Sequence, residues 1–331
     1  MAHDLDFSTG KPAIAYVGKE PWHGLGHKLP DDAPIETWVQ AAGLGWEILR
    51  EPVRYQFKGE LREAPDRHVL LRSDTGYPLS VVSDSYCIVQ PREAVEFYRD
   101  LIADSAFGLE TAGALDGGRK IWGLARSNYS SDGLFENDDK IEPYLLLASS
   151  CDKSLATTVS FVSIRVVCQN TLTFAMDSIK GKSPSKVFKV THDKRFDWQE
   201  AKEKLALIQT AWGSFLKQAK SLAEKTVGGD DIDKFFERLF LTGKKNDETL
   251  TQKAILEIQG LKSARLNGVG QQLPSTKDTA WGLVNAVTFY VDHQRKSRDQ
   301  ATRLDSAWFG TGAALKDKAW DTAIEMFDIA A

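Results

Sequence analysis

Cysteine is nearly missing from this chain. Its 331 residues hold three, Cys87, Cys151 and Cys168, an odd number without Cys-x-x-Cys spacing, which argues against both a disulfide framework and a structural zinc site. Reduced, mostly buried thiols are the expectation, and Cys168, with no histidine beside it, lacks the positioned base that a catalytic thiol needs. Long apolar runs are also missing. None approaches the roughly 20 residues that span a bilayer, and the opening Met-Ala-His-Asp-Leu-Asp-Phe has neither the basic nor the apolar stretch of a secretion signal. The expectation is a cytoplasmic protein with no membrane partner. Positive charge is not in excess: 42 Lys and Arg stand against 46 Asp and Glu, a formal charge of −4. That balance excludes the generally basic surface of many nucleic-acid binders and requires any polyanion site to be local. The sequence contains no Gly-x-x-x-x-Gly-Lys-[Ser/Thr], no Gly-x-Gly-x-x-Gly after a strand and no His-Glu-x-x-His, so nucleotide hydrolysis and zincin chemistry are disfavoured and no cofactor is expected.

What is present is an ordinary globular composition, 42% apolar and 27% charged, in a chain long enough to favour two packed regions over one core. Residues 1–45 read as an arm without sustained periodicity, followed by a short helix. Asp31 or Asp32 caps that helix, Ile35, Trp38, Val39 and Ala42 give its apolar spacing, and Gly43 ends it. Residues 46–195 read as a β-rich core. Strands at 46–57, 69–72, 79–83 and 86–89 are separated by the turn residues Lys58-Gly59 and Asp74-Thr75-Gly76. A helix starting at Pro91 carries an Ala94, Tyr98, Leu101 and Ile102 stripe, and strands resume at 108–115, 119–126, 142–149 and 155–168. A short helix is expected near 170–179, and 186–191 as a last strand or ordered arm. Residues 196–331 read as helices, the first being a long one through Trp198, Ala201, Leu205, Ile208, Trp212, Phe215, Ala219 and Leu222, with others at 231–241, 247–262, 277–296, 299–308 and 314–329. The fold class expected is α+β: an antiparallel β-rich N-terminal core with a sheet-packing helix, then an all-helical C-terminal region.

The most distinctive local feature is residues 178–195, where six Lys or Arg (Lys180, Lys182, Lys186, Lys189, Lys194, Arg195) face one Asp in an otherwise acidic chain. Most such clusters are simply solvated. Here Pro184, Phe188 and the nearby Phe174 add stacking surfaces beside the cations, the combination that holds a nucleic-acid strand without reading its sequence. Arg165 lies in the apolar stretch Phe161-Val162-Ser163-Ile164-Arg165-Val166-Val167, where a guanidinium needs either an internal partner or an anion. Asn170 and Thr171 would cap the expected helix behind it and add donors for the same anion. Lys153 follows Cys151-Asp152 near that strand's start. His23 and His27 are four apart with Asp31 and Asp32 beyond, but Gly24 and Gly26 argue against the helix that would make them metal ligands, and no metal site is expected.

Three stretches together are similar to a known family: Pro21-Trp22-His23-Gly24-Leu25-Gly26, Arg165-Val166-Val167-Cys168-Gln169-Asn170-Thr171-Leu172 and Thr279-Ala280-Trp281-Gly282-Leu283-Val284-Asn285-Ala286-Val287-Thr288. In this order they resemble a phage/plasmid-like family of unknown function, over nearly the whole chain. The resemblance supplies no reaction. It implies a mobile-element setting, in which DNA replication, recombination and evasion of host defence are the usual tasks and the cytoplasm is the host cell's. A looser likeness, in element order alone, is to the ring-forming single-strand annealing proteins of phages. The resulting expectation is a DNA-binding protein that anneals or protects single-stranded DNA in phage or plasmid recombination or replication, without turnover chemistry. It would work as a homo-oligomer, a ring being one form, with Lys153, Arg165, Lys180, Lys182, Lys186, Lys189, Lys194 and Arg195 lining the groove. Two other classes compete: an enzyme acting on nucleotides or nucleic acid, with Arg165, Asn170 and the His23 region in one pocket, and an inhibitor of host defence that binds protein through the long 198–225 helix.

Overall fold

The computed structural model describes residues 5–18, 20, 24–103, 107–128, 139–165, 170–173, 187–192, 197, 208–241, 250–297 and 306–330. They form two compact units, and the chain passes between them more than once. The first comprises 1–128, 144–161 and 187–206; the second comprises 129–143, 162–186 and 207–331.

In the first unit, β1 (Ile14–Tyr16), β2 (His27–Lys28), β6 (Phe107–Leu115), β7 (Lys120–Ser127) and the body of β8 (Ile141–Ser150) lie side by side in the order β2-β1-β6-β7-β8. β9 (Thr157–Arg165) follows β8, and β11 (Val187–Val190) pairs antiparallel with its first residues, Val187 opposite Ser160 and Val190 opposite Thr157. β6, β7 and β8 are heavily buried, as expected of strands covered by other elements. The arm expected before residue 31 therefore contains two short strands, because Ile14 to Tyr16 find backbone partners in Thr111 to Gly113, far along the chain.

Helix α1 (Ile35–Ala41) buries Ile35, Trp38 and Val39 and is ended by Gly43 at φ 68°, the left-handed position that glycine fills without strain. Its cap is not an aspartate: the N-cap position is Pro34, with no side-chain cap bond. Helix α2 (Pro91–Ala103) opens with Pro91 at its first position, and Glu93 accepts from the backbone N–H of Gln90 at 2.8 Å. This helix packs on β6 and β7. Its Tyr98 hydroxyl enters the sheet, donating to the Gly123 carbonyl (2.6 Å) and accepting from the Leu147 N–H (3.0 Å), two residues that face each other across β7 and β8.

A second, three-stranded sheet runs β3 (Ile48–Phe57), β4 (Glu60–Arg72), β5 (Pro78–Val82). The β3–β4 turn is Lys58-Gly59, both at positive φ (50° and 85°), as a tight hairpin requires. The returning strand, expected only from residue 69, also includes residues 60–68. Trp46, Ile48, Leu70, Leu79, Val82, Tyr86 and Cys151 make its core. Beside it, Arg72 is fully buried. It donates to both carboxylate oxygens of Asp74 (3.0 and 2.8 Å), to the carboxylate of Asp6 and to the Gly117 carbonyl (3.2 Å), and its guanidinium lies 4.1 Å from the Trp46 ring.

In the second unit the last residues of β9 pair antiparallel with β10 (Asn170–Thr173), Arg165 opposite Asn170. The helix expected at 170–179 is thus not present over 170–173: the chain turns back as a strand because β9 offers a free edge. The helices among this unit's described residues include α3 (Ile208–Glu224), α4 (Gly229–Arg238), α5 (Gln252–Asn267), α6 (Ala280–Phe289), continued by a π-helical turn (Tyr290–Gln294), and α7 (Thr311–Met326). The part of the long helix expected at 198–207 lies outside the described residues. Every residue of α6 from Ala280 to Thr288 is buried, which makes it the central helix of this unit. Thr279 caps it by accepting from the Gly282 N–H at 3.1 Å. The aromatic centre is Phe215, stacked on Trp212 (5.4 Å) and on Trp320 (4.9 Å), with Trp281 edge-on to Trp320 at 6.2 Å.

Candidate nucleic-acid interface

The segment from β5 to α2, residues 83–90, collects basic groups from four parts of the first unit. Tyr86 is its anchor. The ring is buried, and its hydroxyl donates to the Ser150 carbonyl at 3.0 Å. Burial, then the neighbouring thiols and Asp152, push the phenol well above its ordinary range, so it stays a neutral donor.

His192 stacks on that ring, centroids 4.8 Å apart and planes 21° from parallel. Its Nδ1 is 3.2 Å from the Cys87 carbonyl and its Nε2 3.1 Å from the Leu155 carbonyl, while the Cys87 N–H donates to the His192 carbonyl at 2.6 Å. These contacts, with the β11–β9 pairing, tie down residues 187–192 of the basic stretch. Lys153 is exposed, sits at φ 67°, and holds its Nζ 6.0 Å from the same Tyr86 ring. Arg50 of β3 donates through Nη1 to the Asp84 carbonyl (3.3 Å) and through Nη2 to the Tyr86 carbonyl. His68 of β4 contacts the Asp84 carboxylate at 2.9 Å.

Negative charge is present too. Asp152 precedes Lys153; burial would raise its carboxyl, but bonds from Ser154 and Ser150 outweigh this and hold it below the usual carboxylate range. Lys153 and Arg50 stand against Asp84 and Asp152, two minus two, so with its histidines neutral the cluster is formally uncharged, and what it presents is an exposed ammonium beside an aromatic ring. The exposed Lys153 ammonium is the group here that can meet a phosphate, since the Tyr86 ring is buried under His192. Cys151 is buried, and burial followed by the Asp152 charge pushes its thiol up to about 12, which removes it as a thiolate near neutral pH. Among the described residues, no group of three or more His, Cys, Asp or Glu is placed to hold a metal. No helix among them is long and apolar enough to cross a membrane.

Of the eight cations singled out in the sequence, Lys153 and Lys189 belong to this unit, Lys189 lying on β11 opposite Thr158. Arg165 belongs to the second unit as the last residue of β9. The helix N-terminus expected beside it is absent, since Asn170 and Thr171 are strand residues. Lys180, Lys182, Lys186, Lys194 and Arg195 lie outside the described residues, as do Cys168, His23 and Trp22. Sequence reasoning missed Arg50, His68 and the stacking of Tyr86 on His192. Nothing local marks a contact between residues 106 positions apart, although His192 itself sits inside the basic stretch.

A family model described as "Domain of unknown function (DUF932)" matches residues 78–308, more than half of the chain, and the chain belongs to that family. No curated protein and no solved structure matches it.

Proposed function

We propose, from membership of a family that carries no assigned reaction, that this protein binds single-stranded DNA and anneals or protects it during phage or plasmid recombination or replication. It acts in the host cytoplasm without turnover chemistry and self-associates, in part through its helical residues. The observation that carries the reading is the meeting at Tyr86 of the exposed Lys153 and of His192, which lies within the stretch holding six cations against one Asp. Contacts to phosphate release counterions, so affinity falls with salt at a slope of about 0.7 per neutralised phosphate of a single strand. The acidic whole, at −4, opposes long-range attraction and makes the local lysines indispensable.

The test is a fluorescence anisotropy titration of a labelled oligonucleotide at two salt concentrations, with native mass measured in parallel. Replacing Lys153, Lys180, Lys182, Lys186 and Lys189 by Ala should abolish binding and its salt dependence. Unchanged affinity would refute the reading.

A further inference from the structure

β5 pairs with β4 only from His68 to Leu71, so among the described residues the strands β3 and β4 have only each other as partners between Arg54 and Glu63. Every residue from Arg54 to Glu63 is exposed, and the apolar members are large: Tyr55 is 47% exposed, Phe57 46% and Leu61 68%. This two-stranded part leaves both faces in water, and exposed apolar groups that are contiguous, unlike scattered ones, mark a binding surface. Strand addition is not that use. Pro52 and Pro65 interrupt the two strands, with a bulge between Pro52 and Arg54, the devices by which β edges are kept from pairing.

What remains is a face. Tyr55 and Phe57, two residues apart, point to one side, about 6.6 to 6.8 Å from each other along the strand. Arg62, directly opposite Tyr55, shares that side, and its guanidinium lies 5.1 Å from the Phe57 centroid; Lys58 Nζ lies 5.4 Å from the same ring. Two rings at about twice the 3.4 Å spacing of successive nucleotides along a stacked strand, with cations against one of them, match a stretched single strand that seats one base per ring. A protein partner fits less well. The centre of a protein interface is depleted of carboxylates, whereas Glu60 lies opposite Phe57 on this face, bridged to Arg62 at 2.8 Å.

We infer that the Tyr55–Phe57 face of the β3–β4 ribbon is a base-stacking platform for single-stranded nucleic acid. The inference rests on the function proposed above and adds a contact that the lysine-rich stretch does not supply. The ribbon precedes the residues matched by the family model, which begin at Pro78. From Arg54 to Glu63 the charges are Arg54, Lys58 and Arg62 against Glu60 and Glu63, three minus two, or +1. Stacking therefore dominates there, and attraction to phosphate is secondary.

The experiment uses the full chain, a labelled oligothymidylate and an abasic oligomer of the same length, followed by anisotropy at two salt concentrations. The wild type should prefer the oligothymidylate. Tyr55→Ala/Phe57→Ala should lose roughly 10- to 100-fold in affinity for it while keeping its salt slope and its weak binding to the abasic strand. Tyr55→Phe/Phe57→Trp should restore the preference, which a merely structural role would not explain. Equal binding by wild type and the alanine variant overturns the platform and leaves the lysine-based reading standing. No binding of either oligomer by the wild type overturns both. Loss of a wild-type oligomer in the alanine variant, with DNA affinity unchanged, would make the ribbon a contact between copies and overturn the inference.

Discussion

Removing one oxygen from Tyr98 tests how the helix α2 is fixed to its sheet. The side chain is fully buried, and its hydroxyl bridges the Gly123 carbonyl and the Leu147 N–H, with the Leu145 carbonyl 3.3 Å away. Burial drives the phenol far above its ordinary titration range, so the group donates and accepts in the same sense at every working pH. Tyr98→Phe leaves a buried carbonyl and a buried N–H without their bridge, each worth about 1 to 3 kcal/mol when unsatisfied. Gly123 and Leu147 face each other and recover part of this by closing toward one another. The ring that remains opposes that closure, since even a Cβ at Gly123 would stand 2.7 Å from Tyr98 Cε2. A loss of about 2 to 3 kcal/mol is expected, or a fall in Tm of roughly 4 to 12 °C for a domain of this size. Urea unfolding followed by tryptophan fluorescence gives the first number. Because two units need not unfold together, hydrogen exchange at the Leu147 amide gives the local one, and it should quicken by a factor of 10 or more. If the variant folds, matches wild-type stability within about 0.5 kcal/mol and protects Leu147 equally, the bridging role is wrong.

Three further outcomes follow from the same unit. Arg72→Met removes the cation that holds the buried Asp6 and should cost about 3 to 5 kcal/mol in the urea midpoint analysis; Arg72→Lys should rescue little, because an ammonium cannot reproduce the paired bonds to Asp74. Hydrogen bonds from Arg72 hold the Asp74 carboxyl below the usual carboxylate range, against the opposing effect of burial. Its contribution is complete above the ordinary aspartate range and disappears as pH falls through the lower folded value, so Asp74→Asn should flatten the acid limb of stability measured from pH 6 to 2; an unchanged limb would contradict the pairing. Cys151, its thiol pushed up to about 12, should resist an aromatic disulfide reagent at pH 8 in the native protein and react on unfolding; rapid labelling of native Cys151, shown by peptide mapping, would contradict its burial.

Much of this architecture was legible because element type is encoded locally. The β6, β7, β8 and β9 strands match the strands expected at 108–115, 119–126, 142–149 and 155–168, with a short 3-10 turn at Asp116–Gly118 between the first two. Helix α1 matches its expectation down to the Gly43 stop, and α6 falls within the helix expected at 277–296, buried from Ala280 to Thr288. Residues 60–68 escaped because a strand with no buried face shows no hydrophobic alternation. Asn170–Thr173 was misassigned because Asn-Thr reads locally as a helix cap, whereas the free edge of β9 decided the outcome.

The site divides along the same line. The six cations of residues 178–195, the acidic balance that makes them stand out and the order of strands before helices are properties of the sequence alone. Tertiary structure alone set His192 on Tyr86, brought Lys153 over that ring, buried Arg72 between Asp6 and Asp74 and left the Tyr55–Phe57 face without a covering layer. The physical reason is range: periodicity and turn chemistry act over a few residues, whereas stacking, ion pairing and burial are fixed between groups that only the folded chain brings within a few ångströms.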